Sequence, residues 1–185
     1  MLNLKIIHAS TREGRKGLPV SEWIVETAKK EADFNVEFID LKELNLPFID
    51  EPEHPKLKRY IHQHTIEWSN KIDSADAFIF VTCEYNYGMP ATLKNALDFL
   101  VQEWAYKPVA FVGYGGISAG TRSIQQLKQI TNALKMFPFD GVLLPFFSTQ
   151  LNDDGLFEPT PSNLRAADAM FKELKHLGEG MKALR

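Results

Sequence analysis

Ala77-Phe78-Ile79-Phe80-Val81 is the most apolar run in the sequence, and it leads into Thr82-Cys83-Glu84-Tyr85-Asn86-Tyr87-Gly88-Met89-Pro90. No polar residue alternates through the run, so it predicts a strand buried on both faces. A central parallel strand covered by helices on each side is buried in this way. The flanking segments supply such helices. Upstream, a helix is predicted from about Leu57 to Asp73, carrying Ile61, Ile66 and Trp68; downstream, Leu93, Leu97, Leu100 and Trp104 recur at helical spacing.

The same alternation extends to both ends of the chain. Leu4 to His8, then Val36, Phe38 and Ile39, then Val109 to Val112, and finally Gly141 to Leu144 read as four more strands. Between them lie helical faces: Val20, Trp23, Ile24, Thr27 and Ala28 after Pro19; Ile124, Leu127, Ile130 and Leu134; and last Leu164, Ala167, Phe171 and Leu174. The proline-punctuated stretch from Leu46 to Pro55 reads as a loop. Five strands alternating with helices imply an α/β three-layer sandwich on a parallel sheet with right-handed crossovers, one domain over residues 1–185.

Composition narrows the classes of function. At 185 residues, 44% hydrophobic and 24% charged, the chain is an ordinary globular protein rather than a disordered or fibrous one. Its net charge of -3 gives no electrostatic case for nucleic acid. One cysteine, Cys83, excludes an intrachain disulfide and a multi-cysteine zinc site. No stretch approaches the ~20 apolar residues of a membrane span, and the N-terminus lacks the pattern of a signal peptide. A cytoplasmic location without membrane or nucleic-acid partners is the expectation.

In an open parallel sheet, ligands bind beyond the C-terminal ends of the strands. After the first strand the chain reads Ser10-Thr11-Arg12-Glu13-Gly14-Arg15-Lys16-Gly17-Leu18, just before the helix at Pro19. Free amides and the helix dipole favour an anion there, and Arg12 is able to pair with phosphate in bidentate fashion. A solvated basic turn is the plainer alternative, but the position after the first strand favours phosphate. A P-loop is absent, because no glycine precedes Lys-Ser or Lys-Thr. The nearest approach to a dinucleotide fingerprint, Gly113-Tyr114-Gly115-Gly116-Ile117-Ser118, lacks the third glycine and follows the fourth strand. A mononucleotide remains, with FMN the leading candidate. The aromatic and polar residues Thr82–Pro90 and the small residues Tyr114–Gly120 would suit the edges of a planar heterocycle.

These residues carry a resemblance. Ser10-Thr11-Arg12, Glu84-Tyr85-Asn86, Leu93-Lys94-Asn95-Ala96-Leu97-Asp98 and Tyr114-Gly115-Gly116 are similar to the motifs of the NAD(P)H-dependent FMN reductases. That family has a flavodoxin-like fold and includes quinone reductases and azoreductases. The likeness runs from Leu4 to about Leu134, with Ala9 standing where the family usually has glycine and Cys83 where it usually has proline. It implies strand order 2-1-3-4-5. It further implies that Ser10, Arg12 and Gly17, Leu18, Pro19 and Val20 hold the FMN phosphate, while Cys83, Glu84, Tyr85, Asn86, Tyr114, Gly115 and Gly116 flank the isoalloxazine. A homodimer or homotetramer follows from the same likeness, with the helix near Leu93 to Leu100 close to the partner.

The implied reaction is ping-pong. NAD(P)H passes a hydride to the flavin, and a small-molecule electron acceptor (a quinone, azo compound or free flavin) then takes two electrons. Amides of the Gly115-Gly116 turn would stabilise charge on the reduced ring, and no catalytic side chain is required. An FMN-binding electron carrier or redox-sensing interaction protein is the alternative, and a relative that has lost flavin is the third reading. Other residues invite sharper stories that the sequence does not support. Cys83 lacks the phosphatase arginine, since Met89 occupies its position. His62 and His64 are two apart on the predicted helix and point to different faces. Asp153-Asp154-Gly155 lacks the remaining calcium ligands.

Overall fold

A computed structural model describes residues 1–185. Five parallel strands, β1 (Leu2–His8), β2 (Phe34–Asp40), β3 (Ala77–Thr82), β4 (Pro108–Tyr114) and β5 (Phe137–Leu144), form one sheet in the order β2-β1-β3-β4-β5. The expected order is therefore found, and all of β3 is buried.

Side-chain alternation explains the layers. Ala77, Ile79 and Val81 of β3, with Ala110 and Val112 of β4, join one core together with α1 (Leu18–Ala28) and α6 (Pro161–Met181). Phe78, Phe80, Val109 and Phe111 face the other way, toward α3 (Gln63–Asp73), α4 (Ala91–Asp98) and α5 (Thr121–Ala133). Trp68 and Trp104 are fully buried in this second core, edge-on to each other at 5.9 Å, and their indole N–H groups donate to the carbonyls of Ala96 and Leu97. Packing therefore accounts for both tryptophans. Each large apolar side chain so buried contributes about 1.5–3 kcal/mol. An exposed pair such as Lys172–Asp168 is screened by water and adds little, so the cores decide stability.

Four expectations shift. The helix predicted from Leu57 starts at Gln63: a short 3₁₀ turn, Pro55–Leu57, ends at Lys58 with φ +49°, which no helix continues through. Ile61 and Ile66 are exposed instead of packed. The run from Leu93 to Trp104 is two pieces, since α4 stops at Asp98 and Trp104 sits on a 3₁₀ turn after the non-helical Val101. The last helix begins at Pro161, but Leu164 is on its exposed side. Finally, β5 starts four residues earlier than Gly141. Pro138 and Asp140 disguise it, and they are tolerated because β5 is an edge strand. Phe111 pairs with Asp140 and Val112 with Val142, leaving Gly141 as the extra residue of a bulge. A one-turn helix, α2 (Leu41–Leu44), capped by the Asp40 carboxylate, was not foreseen.

Candidate active site

The C-terminal ends of β1, β3 and β4 converge on a cavity of about 450 Å³, within the range of small-molecule sites. Among its walls are Ser10, Arg12, Gly17, Cys83, Glu84, Tyr85, Tyr114 and Gly115. Leu18, Pro19, Val20, Asn86 and Gly116 do not line it. For Leu18, Pro19, Val20 and Asn86 the reason is local. Val20 is fully buried in the core, and its N–H donates to the Gly17 carbonyl at 3.2 Å. Pro19 has no N–H, and that of Leu18 reaches the Arg15 carbonyl at 3.4 Å. Backbone N–H groups without a partner run from Ser10 to Gly14 and recur at Lys16 and Gly17. Of the helix-start residues Gly17 to Val20, only Gly17 keeps an open N–H, and the other open amides lie in the loop before it.

The three cations of that loop have different fates. Arg15 is pulled inward, donating to the Asp40 carboxylate at the end of β2 and to the Ser10 carbonyl. Burial opposes the charge on Asp40, yet the Arg15 guanidinium and the Lys42 N–H hold its carboxyl below the usual range. Arg12 and Lys16 are exposed beside the cavity and form no ion pair. The cradle is therefore a loop clamped from below by Arg15–Asp40, with Arg12 left for an incoming anion.

His8, at the end of β1, is buried. Its Nδ1 meets the Ser21 hydroxyl at 2.7 Å, its ring stacks on Tyr114 at 6.3 Å, and Nε2 has no partner. Burial, together with the nearby Arg15 and against the pull of Asp40, lowers its pKa to about 4, so it is neutral at pH 7. Gly17 is where a glycine is required by contact: a Cβ there would fall 2.1 Å from the Tyr114 ring. That ring is wedged between His8 and Phe147. Gly17→Ala is expected to destabilise the fold by about 1–3 kcal/mol and to weaken cofactor binding, as read by thermal unfolding and flavin titration. An unaltered melting temperature would show that the ring moves freely.

In the β3 loop, Tyr85 and Gly88 exchange backbone hydrogen bonds at 2.9 and 2.8 Å around Asn86 and Tyr87, both at positive φ. This is a two-residue turn of the primed type, and asparagine suits its first position. Asn86 therefore shapes the turn from outside the cavity. The Tyr85 hydroxyl meets Ser10 Oγ at 2.7 Å and ties the first loop to the third. Glu84 lines the cavity, but its carboxylate also accepts from Arg122 and from the Ser118 hydroxyl across the start of α5, where no side chain of α5 supplies a cap. Cys83 is 7% exposed in the apolar core beside the cavity. In the β4 turn, the Gly115 N–H is engaged with the Leu144 carbonyl at 3.4 Å, whereas that of Gly116 has no backbone partner.

Two contributors escaped the sequence reading. Phe147, after β5, lines the cavity and packs edge-on against Tyr114 at 5.0 Å. Asp40, the last residue of β2, anchors Arg15. Applying the strand-end rule to all five strands would have reached both.

Fold and site together define a flavodoxin-like α/β protein with a cavity beyond its central strands. The residues present fit FMN: unpartnered amides and a free arginine for a phosphate, aromatic walls for a flat ring, and adequate volume. A family model described as NADPH-dependent FMN reductase matches residues 2–148. An NAD(P)H-dependent FMN reductase of Schizosaccharomyces pombe is 42% identical over 133 residues, covering 71% of this chain and 66% of that protein. Another, from a Nectria species, is 33% identical across 100% of this chain and 98% of its own length. Among solved structures, an NAD(P)H:(acceptor) oxidoreductase from Paracoccus denitrificans superposes with a TM-score of 0.68 at 19% identity, covering 98% of this chain and 95% of that one. An NADPH:quinone oxidoreductase of Arabidopsis thaliana is 44% identical over 63 residues, about a third of each chain. The chain belongs to the NADPH-dependent FMN reductase family of oxidoreductases. No helix is long and apolar enough to cross a membrane.

Proposed function

We propose that the chain uses bound FMN to carry two electrons, as hydride, from NAD(P)H to a small planar acceptor (a quinone, azo compound or free flavin) in ping-pong order. The observation that carries this reading is the loop of unpartnered amides, Thr11 to Gly14, with the unpaired Arg12 at the end of the first strand. Those groups would bind the FMN phosphate. Ser10 and Tyr85 would hold the two loops at a fixed separation, and Tyr114 with Phe147 would form an apolar wall that excludes water from one side. The Gly116 N–H has no backbone partner and, one residue beyond the cavity-lining Gly115, would meet negative charge at a ring edge. His8, neutral and buried, supplies no proton at pH 7. The family likeness read from the sequence supports a homodimer or homotetramer.

The test is an absorption spectrum of the FMN-loaded protein before and after anaerobic NADH or NADPH. Prompt bleaching of the bound-flavin bands, followed by reoxidation with a quinone, is expected, and the faster nucleotide names the donor. Flavin that stays oxidised with both would favour an electron carrier, and a protein that takes up no flavin would remove the cofactor assignment.

A further inference from the structure

A second cavity, of about 960 Å³, lies at the other edge of the sheet. The segments entering β3 and β4 bound it, with the end of α5 and the C-terminal residues completing the wall. β4 is seven residues long, which separates the two cavities by about 23 Å, and they share no lining residue.

Its charge is one-sided. Five cations, Lys56, Lys107, Lys135, Lys182 and Arg185, face it with two carboxylates, Asp73 and Asp76. Asp76 is already engaged by Lys182, Arg185 and the Asn3 N–H. Asp73 has Lys58 at 3.8 Å. Lys107, 3% exposed, donates to the carbonyls of Ile72 and Asp73 at 2.8 and 2.9 Å and so closes the end of α3. Burial lowers its pKa to about 8, which leaves it charged at pH 7. Lys56 and Lys135 have no ion-pair partner.

The backbone is unusual at the same place. Tyr106 and Lys135 hold φ of +58° and +59°, and the Tyr106 N–H donates to the Lys135 carbonyl at 2.9 Å. Left-handed conformations are unfavourable in such residues and persist only where the surroundings impose them. The outcome is a half-exposed Tyr106 ring with the Lys135 ammonium 5.8 Å from its centre, beside apolar surface from Val101, Ala105 and Leu134.

We propose that this cavity binds a planar aromatic phosphate the size of a nucleoside monophosphate. The phosphate would sit at Lys135 and Lys56, and the ring would lie on Tyr106 and the apolar wall. Lys56 and Lys135 are exposed, so a neutral ligand would gain nothing from their ammonium groups, and an inorganic anion would bury none of the apolar surface. Aromatic ring and phosphate together use both features, and the volume falls within the range of such sites.

The experiment titrates the FMN-loaded protein with 5′-AMP, adenosine or inorganic phosphate and follows backbone amides by NMR. Loaded FMN keeps the strand-end cavity filled. Saturable shifts at residues 105–107 and 133–135 are expected with 5′-AMP at millimolar concentration or below, and weaker binding with adenosine or phosphate. The double variant Lys56→Gln, Lys135→Asn should bind 5′-AMP at least about tenfold less tightly while its FMN content is unchanged; asparagine tolerates the left-handed backbone at 135. Absence of saturable shifts, shifts confined to residues 10–17 and 114–116, or equal affinity in the double variant would overturn the proposal. Inorganic phosphate binding as tightly as 5′-AMP would overturn the aromatic part of it.

Discussion

Asp40→Ala is expected to lose about 3–5 kcal/mol of stability and to bind FMN more weakly. The carboxylate and its partner Arg15 have side chains only 9% and 12% exposed. Removing one member of a buried pair leaves the other charge without compensation, and that cost is of this size. Asp40 also accepts the Lys42 N–H at 2.9 Å, capping α2, while Arg15 donates to the Ser10 carbonyl. The variant therefore loosens the loop that carries the unpartnered amides. Asp40→Asn keeps an oxygen for the cap but not the charge, so it should fall between the wild type and Asp40→Ala.

The pH dependence follows in sign. The Asp40 carboxyl is held below its ordinary range in the folded protein. Its stabilisation is thus fully present above the unfolded value of about 3.9 and is lost as pH falls through the lower folded value. The difference between wild type and Asp40→Ala should shrink below about pH 4. Urea unfolding midpoints across pH 3 to 7 measure it, and coincident midpoints at pH 7 would mean that the ion pair contributes nothing.

Arg12→Ala should behave in the opposite manner, with stability nearly unchanged and FMN affinity reduced. Arg12 is exposed beside the cavity and has no acidic partner, so its removal strands no buried charge. A hydrogen bond to a charged group is worth about 1.5–3 kcal/mol, or roughly 10- to 150-fold in dissociation constant. Flavin fluorescence titration reads this directly. Equal affinity in wild type and variant would place the phosphate elsewhere. Arg12 and Arg15, three residues apart, are thereby separated by experiment into a binding group and a positioning group.

The fold was legible because hydrophobic pattern is local and redundant. The run from Ala77 to Val81 has only one comfortable environment, between two helical layers, and the structure places it there. The misread boundaries are those where one backbone dihedral or an edge position outweighs composition. Lys58 stops a helix by its positive φ, and Pro138 sits in a strand because that strand has an open edge.

The site was legible to a lesser degree. Its loops follow from strand order, so Ser10, Arg12, Gly17, Cys83, Glu84, Tyr85, Tyr114 and Gly115 do come together. The division of labour among them does not follow. Nothing in Arg12-Glu13-Gly14-Arg15 says which arginine turns inward. That choice depends on Asp40, which the pairing of His8 with Asp40 brings beside the loop. Likewise, Asn86 and Glu84 read as ring contacts, but a tight turn claims the first and the open end of α5 engages the second.

The amino-acid sequence by itself determined the architecture, the edge of the sheet where the site lies and the class of its cofactor. Periodicity and strand-end composition act over a few residues and survive without knowledge of the fold. Only the tertiary structure decided which amides stay unpartnered, which arginine is free and where Phe147 closes the wall. Those outcomes are set by contacts between residues as far apart in sequence as Arg15 and Asp40 or His8 and Tyr114, and no local pattern encodes them.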